Sequence, residues 1–185
     1  MRESYAGNLL IAVPDLPDTN FFRTVVFMIE HSEDGAIGVI LNRPANVKLV
    51  DLWDELNSEI AVQRDAPVFV GGPVNGPVLA LHNQYMHSET QIIDGVYMTM
   101  ASDRLNRLMM DEGGDVKVFS GYSGWASNQL ENEVAQGGWL LMDAQPNHVF
   151  GSPDELWKSV SRKVGNDIML PGMLRGQNFG DPNMN

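Results

Sequence analysis

Short apolar runs cut by glycine and proline dominate the first hundred residues. Residues 9–13 form one such run, stopped by Pro14 and Pro17, and predict a strand. Residues 24–31 are β-branched and aromatic and predict a buried strand. Asp34-Gly35 supplies a tight turn, and residues 36–42 return as the partner strand. Arg43 precedes Pro44, which favours an extended conformation and ends that strand. Residues 68–70 and 78–81 predict two short strands, with a glycine- and proline-rich loop over 71–77 between them. Ile92-Ile93 and residues 96–100, joined by Asp94-Gly95, predict a second hairpin. Residues 116–119 and 139–142 read as strands, and Val149-Phe150 as a further short one.

Helical spacing enters between these runs. Leu49, Leu52, Trp53 and Leu56 fall on one helical face. Ser102 predicts an N-cap for a helix burying Leu105, Leu108 and Met109, with Gly113-Gly114 ending it. Leu130 and Val134 mark another helix, stopped by Gly137-Gly138. Ser152-Pro153-Asp154-Glu155 combines an N-cap serine, a proline at the first helical position and a glutamate at the third. Leu156, Trp157, Val160 and Val164 would be the buried face of that helix. Hairpins first and helices later, without strict alternation, predict an α+β fold with about four helices. Residues 1–165 are expected to form one domain, and the Gly- and Asn-rich 166–185 a wrapping or partly disordered extension.

Composition narrows the function classes. Apolar residues make up 43% of the 185, enough for a core, and the absence of cysteine removes disulfides and thiolate metal sites. The net charge is −12, and the basic residues are scattered, with only Arg162 and Lys163 adjacent. DNA binding needs a basic face that displaces counterions, so direct DNA contact is not expected. An acidic surface also repels anionic membranes, and no apolar run approaches the ~20 residues of a membrane span. The N-terminus lacks the basic start and apolar core of a signal peptide, so a cytoplasmic protein is expected. The sequence leaves the oligomeric state open.

Several loops carry candidate chemistry. Gly121-Tyr122-Ser123-Gly124-Trp125 lies between a predicted strand and a predicted helix. A nucleophile elbow needs glycines two residues either side of its serine, and here the spacing fails on one side of Ser123. The alternatives are a tight turn packed by Tyr122 and Trp125, or a binding surface built from them. Gln129 and Glu133 share a helical face and could hold a ligand amide or simply solvate the helix. His31, beside Glu30 at a strand end, could be a general base or bond to loop backbone. Asn42-Arg43 with Gly71-Gly72 offers a guanidinium fork for carboxylate or phosphate, or an arginine pinned within the protein. The histidines show no zinc spacing and the glycine loop matches no nucleotide motif, so neither metal nor cofactor is expected.

The order of these pieces is itself informative. Gly7-Asn8-Leu9-Leu10-Ile11-Ala12, Phe22-Arg23-Thr24-Val25-Val26, Glu30-His31, Gly35-Ala36-Ile37-Gly38 and Leu41-Asn42-Arg43-Pro44 come first. Gly71-Gly72-Pro73-Val74, Leu81-His82, the Gly121 motif and Gln129-Leu130-Glu131 with Glu133 follow. From about residue 6 to 165 this succession resembles the YqgE/AlgH family of bacterial proteins. The resemblance implies a compact α+β fold on a curved, partly barrel-like, mostly antiparallel sheet. It also implies a cytosolic setting and the label of transcriptional regulator. It implies that alanine often replaces Ser123. Ser127-Asn128 departs from a Pro-Gly pair common at that point of the family.

The leading reading is a non-enzymatic binding or regulatory module engaging a protein or a small ligand. Its surface would be formed by His31, Asn42, Arg43, Gly71, Gly72, Tyr122, Trp125 and Gln129. The alternatives are a hydrolase using His31 with an acid, and a regulator acting indirectly rather than by strong DNA contact.

Overall fold

The computed structural model describes residues 4–16, 18–56 and 59–175. The strands in chain order are β1 (Asn8–Ala12), β2 (Val25–Ser32), β3 (Gly35–Ile40), β4 (Pro44–Lys48), β5 (Pro67–Val70), β6 (Leu79–His82), β7 (Thr90–Ile93), β8 (Val96–Thr99), β9 (Val116–Ser120), β10 (Ser123–Ala126) and β11 (Trp139–Asp143). The helices are α1 (Leu49–Glu55), α2 (Ser102–Met110), α3 (Gln129–Ala135), α4 (Pro146–Phe150) and α5 (Pro153–Arg175).

The fold is α+β. Its strands are divided between two open sheets, ordered β10-β3-β2-β1-β11 and β4-β5-β9-β6-β8-β7. Pairing is antiparallel except between β5 and β9, where Phe69 lies opposite Phe119. Side chains on successive strand residues point to opposite faces, and here the central strands of both sheets are buried on both faces. Leu9, Ile11, Val25, Phe27, Val39 and Leu41 meet Phe69, Leu79, Leu81 and Phe119 in a core shared by the two sheets. Leu10, Ala12, Val26, Met28 and Ile40 face the other way, under Leu130 of α3 and beside Trp125 and Trp139. On the outer face of the second sheet, Val68, Ala80 and Val118 pack against Leu49 and Trp53 of α1 and Leu105, Leu108 and Met109 of α2. That double burial is why the strands read as continuous apolar runs. Leu156, Val160 and Val164 of α5 close the shared core, and the Trp157 indole donates to the Ala12 carbonyl at 2.9 Å.

The structure corrects several expectations. The segment after Arg43 is a strand, because Pro44 opens the edge strand β4, where its missing N–H is no loss. Ser123-Gly124-Trp125 is strand β10 rather than part of a turn, paired with β3 from Ser123–Gly38 to Ala126–Gly35. Val149-Phe150 is helical: Pro146 stands in the first turn of α4, and the Gln145 N–H donates to His148 Nδ1 at 3.1 Å. Ser102 is the first residue of α2 and not its cap. Glu89 instead organises the approach to that helix, its carboxylate accepting from the Thr99 hydroxyl and the Met100 and Ala101 N–H groups. Among the described residues there are five α-helices, close to the expectation of about four. Helix α5 continues to Arg175, and the remainder of the expected C-terminal extension lies outside the described residues.

Candidate functional site

The chain passes from the first sheet to the second between β3 and β4 and returns at Gly121-Tyr122, between β9 and β10, and Gly71 bridges the two sheets beside that return. The Gly71 carbonyl accepts from the Ile40 N–H at 2.9 Å and from the Ser123 hydroxyl at 3.0 Å, and its N–H donates to the Ser120 carbonyl at 3.0 Å. Val74 pairs with Tyr122 across a single bridge. A Cβ on Gly71 would sit 2.2 Å from the Gly121 carbonyl oxygen, and one on Gly72 2.3 Å from Tyr122 backbone. These glycines therefore let one backbone approach another. Ser123 is fully buried with its hydroxyl engaged, so it offers no nucleophile to solvent.

Asn42 and Arg43 hold the neighbouring 20–25 loop. Asn42 Oδ1 accepts from the Val25 N–H and Nδ2 donates to the Arg23 carbonyl, both at 2.9 Å. This clamp spans Arg23 and fixes its left-handed backbone, φ +53°, which costs an L residue about 1–2 kcal/mol. Arg43 donates to the Asn20 carbonyl at 2.6 Å. The guanidinium is thus pinned to backbone, the internal alternative open at the sequence level.

A second polar set lies under α3. Glu133 Oε2 accepts both indole N–H groups, from Trp125 at 2.9 Å and Trp139 at 2.8 Å. Gln129 donates to Glu133 Oε1 at 2.9 Å and accepts from the Ala126 N–H at 3.0 Å. Phe21 stacks on Trp125 and meets Trp139 edge-on. The amide and the carboxylate hold this aromatic cluster together.

The surroundings of His31 are different. A cleft of about 760 Å³ is lined by Ser4, His31, Ser32, Glu33, Asp34, Ser127, Asn128 and Glu131. Its walls are the β2–β3 turn and the entry to α3, tied together by the Ser127 hydroxyl, which donates to the Glu33 carbonyl at 2.6 Å. Asn128 makes the sharp entry by adopting φ +61°, a left-handed conformation that asparagine tolerates well. The His31 ring stacks on Tyr5 with centroids 4.7 Å apart, and Nδ1 accepts the Tyr5 N–H at 3.0 Å. That bond places the ring proton on Nε2, which faces Glu131 Oε1 at 3.4 Å. A recess of about 240 Å³ adjoins the cleft at Ser32 and Asp34 and adds Glu30 and Trp125.

The family model described as AlgH-like matches residues 9–169. The chain belongs to the AlgH-like family. A UPF0301 protein of Ruegeria pomeroyi is 39% identical over 172 residues, covering 89% of this chain and 94% of that protein. One from Myxococcus xanthus is 36% identical over 180 residues, covering 95% and 99%. The solution structure of the AlgH protein from Pseudomonas aeruginosa superposes with a TM-score of 0.75 at 27% identity, covering 98% of this chain and all of that one.

In this AlgH-like protein the residues expected to form one surface separate into three groups. Gly71, Gly72 and Tyr122 meet at the crossing between sheets, with Asn42 and Arg43 beside them, holding the 20–25 loop. Trp125, 6% exposed, and Gln129 belong to the Glu133 cluster, and Trp125 also lines the recess beside the His31 cleft. His31 alone of the eight lines the large cleft. Reasoning from sequence missed Glu33, Asp34, Ser127, Asn128 and Glu131. Only the position of Glu33 and Asp34 beside a turn glycine hinted at an exposed role. Glu131 stands a hundred positions from His31 with no local signal joining them. Among the described residues no group of three potential ligands is placed to hold a metal ion, and no helix is long and apolar enough to cross a membrane.

Proposed function

We propose that this protein is a binding module and that its ligand enters the cleft between the β2–β3 turn and the start of α3. One observation carries the reading: the imidazole in the cleft of about 760 Å³ is fixed as a hydrogen-bond donor. A neutral imidazole has one basic nitrogen, and that of His31 already accepts the Tyr5 N–H. It cannot take a proton from a substrate or a water without breaking that bond. The nearby hydroxyls of Ser4 and Ser127 donate to main-chain carbonyls. The arrangement supports recognition by shape, charge and donated hydrogen bonds.

The hydrolase alternative draws on the approach of His31 to Glu131 at 3.4 Å. A His–carboxylate pair of this kind orients a base only when the other ring nitrogen is free to accept, and here it is not. A regulatory role would act through a bound partner, since twelve basic residues against twenty-four acidic ones provide no counterion-displacing surface.

The test is an amide NMR titration of the full chain with a panel of cationic, neutral and anionic peptides. Perturbations should cluster at residues 30–36 and 126–131. Shifts centred on the Gly71 crossing or on the outer faces of α1 and α2 would refute the placement. Turnover that disappears in His31→Gln would refute the non-enzymatic reading.

A further inference from the structure

Resting on that reading of the cleft, we infer that its ligand is a basic peptide segment. The seat is the pair Glu33 and Asp34, which takes an arginine or lysine side chain, while His31 Nε2–H donates to a carbonyl of the peptide backbone.

Charge is the first observation. Glu33, Asp34 and Glu131 line the cleft, Glu30 lines the recess that joins it, and no lysine or arginine is among the described lining residues. Several carboxylates gathered at one end of a chain of charge −12 repel one another. A cation between them relieves that repulsion, whereas an anion or a nucleic acid would add to it.

The second observation is independent of charge. The His31 side chain is 6% exposed, and its Nε2 has no hydrogen-bond partner among the described residues. The Glu131 oxygen at 3.4 Å stands beyond the 2.7–3.2 Å of a good N–H···O bond. A buried donor without an acceptor is costly. The ligand that fits supplies a carbonyl as well as a cation, and a peptide carries both. A polyamine carries only the cation, and a bare metal ion finds no three-ligand group here among the described residues. Glu131 lies over Nε2, so the carbonyl reaches it as the Glu131 carboxylate turns toward the incoming cation. The volume of about 760 Å³ is within the range of natural ligand sites and accommodates one long basic side chain with its flanking peptide units.

The experiment uses the full chain, a fluorescein-labelled hexapeptide containing Arg-Lys, its Glu-Glu counterpart, and spermidine. Anisotropy reports affinity, and long-range 15N spectra report the His31 ring. The basic peptide should bind, more weakly as salt rises, and shift the His31 Nε2 resonance. The exposed double variant Glu33→Gln/Asp34→Asn should weaken it about tenfold with an unchanged melting curve. Equal binding of the acidic peptide, indifference to the double variant, or spermidine competing as well as the peptide with Nε2 unmoved would each overturn the inference. If neutral or anionic peptides perturb the cleft and the basic one does not, the basic-peptide assignment falls while the cleft stands as the binding site. If no probe perturbs the cleft, both fall.

Discussion

His82 ends β6 in a fully buried position, and neither of its ring nitrogens has a hydrogen-bond partner among the described residues. Burial, reinforced by the nearby His87 and opposed by the Gln84 backbone, pushes its pKa down from 6.5 to about 4. Between those values the unfolded chain binds a proton that the folded chain refuses, so stability falls as pH drops through the window. At 1.36 kcal/mol per unit the loss is about 3 kcal/mol, complete near pH 4 and absent above about pH 6.5. Set against the ~5–15 kcal/mol of a typical domain, that is a large share. Urea unfolding of wild type and His82→Phe from pH 7 to pH 4 isolates it, since the ring volume is largely retained while the titration is removed. At pH 7 the variant should match or exceed wild type, because no polar ring atom is then orphaned. Towards pH 4 its advantage should grow by about 3 kcal/mol. The lowered pKa of Glu89 also removes stability on the acid side, but equally in both proteins, so it cancels in the difference. Parallel stability curves for the two proteins would refute the reasoning.

Ser123→Ala removes one hydroxyl bond to the Gly71 carbonyl and should cost about 1 kcal/mol in urea unfolding while leaving peptide binding at the cleft intact. An activity lost in that variant with the fold preserved would reinstate a serine nucleophile. Gly71→Ala drives a Cβ to 2.2 Å from a backbone oxygen and should cost about 3 kcal/mol or more, measured as a lowered Tm or loss of soluble protein. Gly165→Ala, in α5 with nothing within 4 Å, should instead raise stability by about 0.5–1 kcal/mol.

Elements whose identity is local were legible in the sequence. The β2–β3 and β7–β8 hairpins carry their turn residues and their apolar runs together, and the start of α5 is written in four consecutive residues. Elements created by their partners were not. Ser123-Gly124-Trp125 has the composition of a turn and becomes a strand because β3 presents Gly35-Ala36-Ile37-Gly38 alongside it. Gly38 has no room for a side chain there: a Cβ would fall 2.7 Å from Val26 and 2.8 Å from the Phe27 carbonyl. The exposed β4 likewise exists through β5, pairing at Pro44–Phe69 and Lys48–Pro67 around an irregular centre. Val149-Phe150 reads as strand by propensity, yet the Pro146 start and the Gln145–His148 contact settle it as helix. The same distinction holds for chemistry. Polar and glycine residues beside strand ends were recognisable as special, but whether Asn42, Arg43, His31 and Ser123 face a ligand or a neighbouring backbone depends on segments 17 to 52 positions away.

That dependence also orders the candidate surfaces. A polar side chain binds a ligand with hydrogen-bonding capacity that the fold has not already used. Asn42 uses its oxygen and its amide on the 23–25 backbone, and Ser123 uses its hydroxyl on Gly71. Glu133 accepts three donors and Gln129 bonds at both ends. To bind anything, each would first release the junction between the sheets or the tryptophan cluster. At the rim of the β2–β3 turn the balance reverses. There the turn is held by main-chain carbonyls and by the hydroxyls of Ser4 and Ser127, and among the described residues the carboxylates of Glu33 and Asp34 carry no part of that framework. Neutralising them should therefore change what the protein binds without changing how it folds, the separation that a binding face requires and a structural motif cannot show.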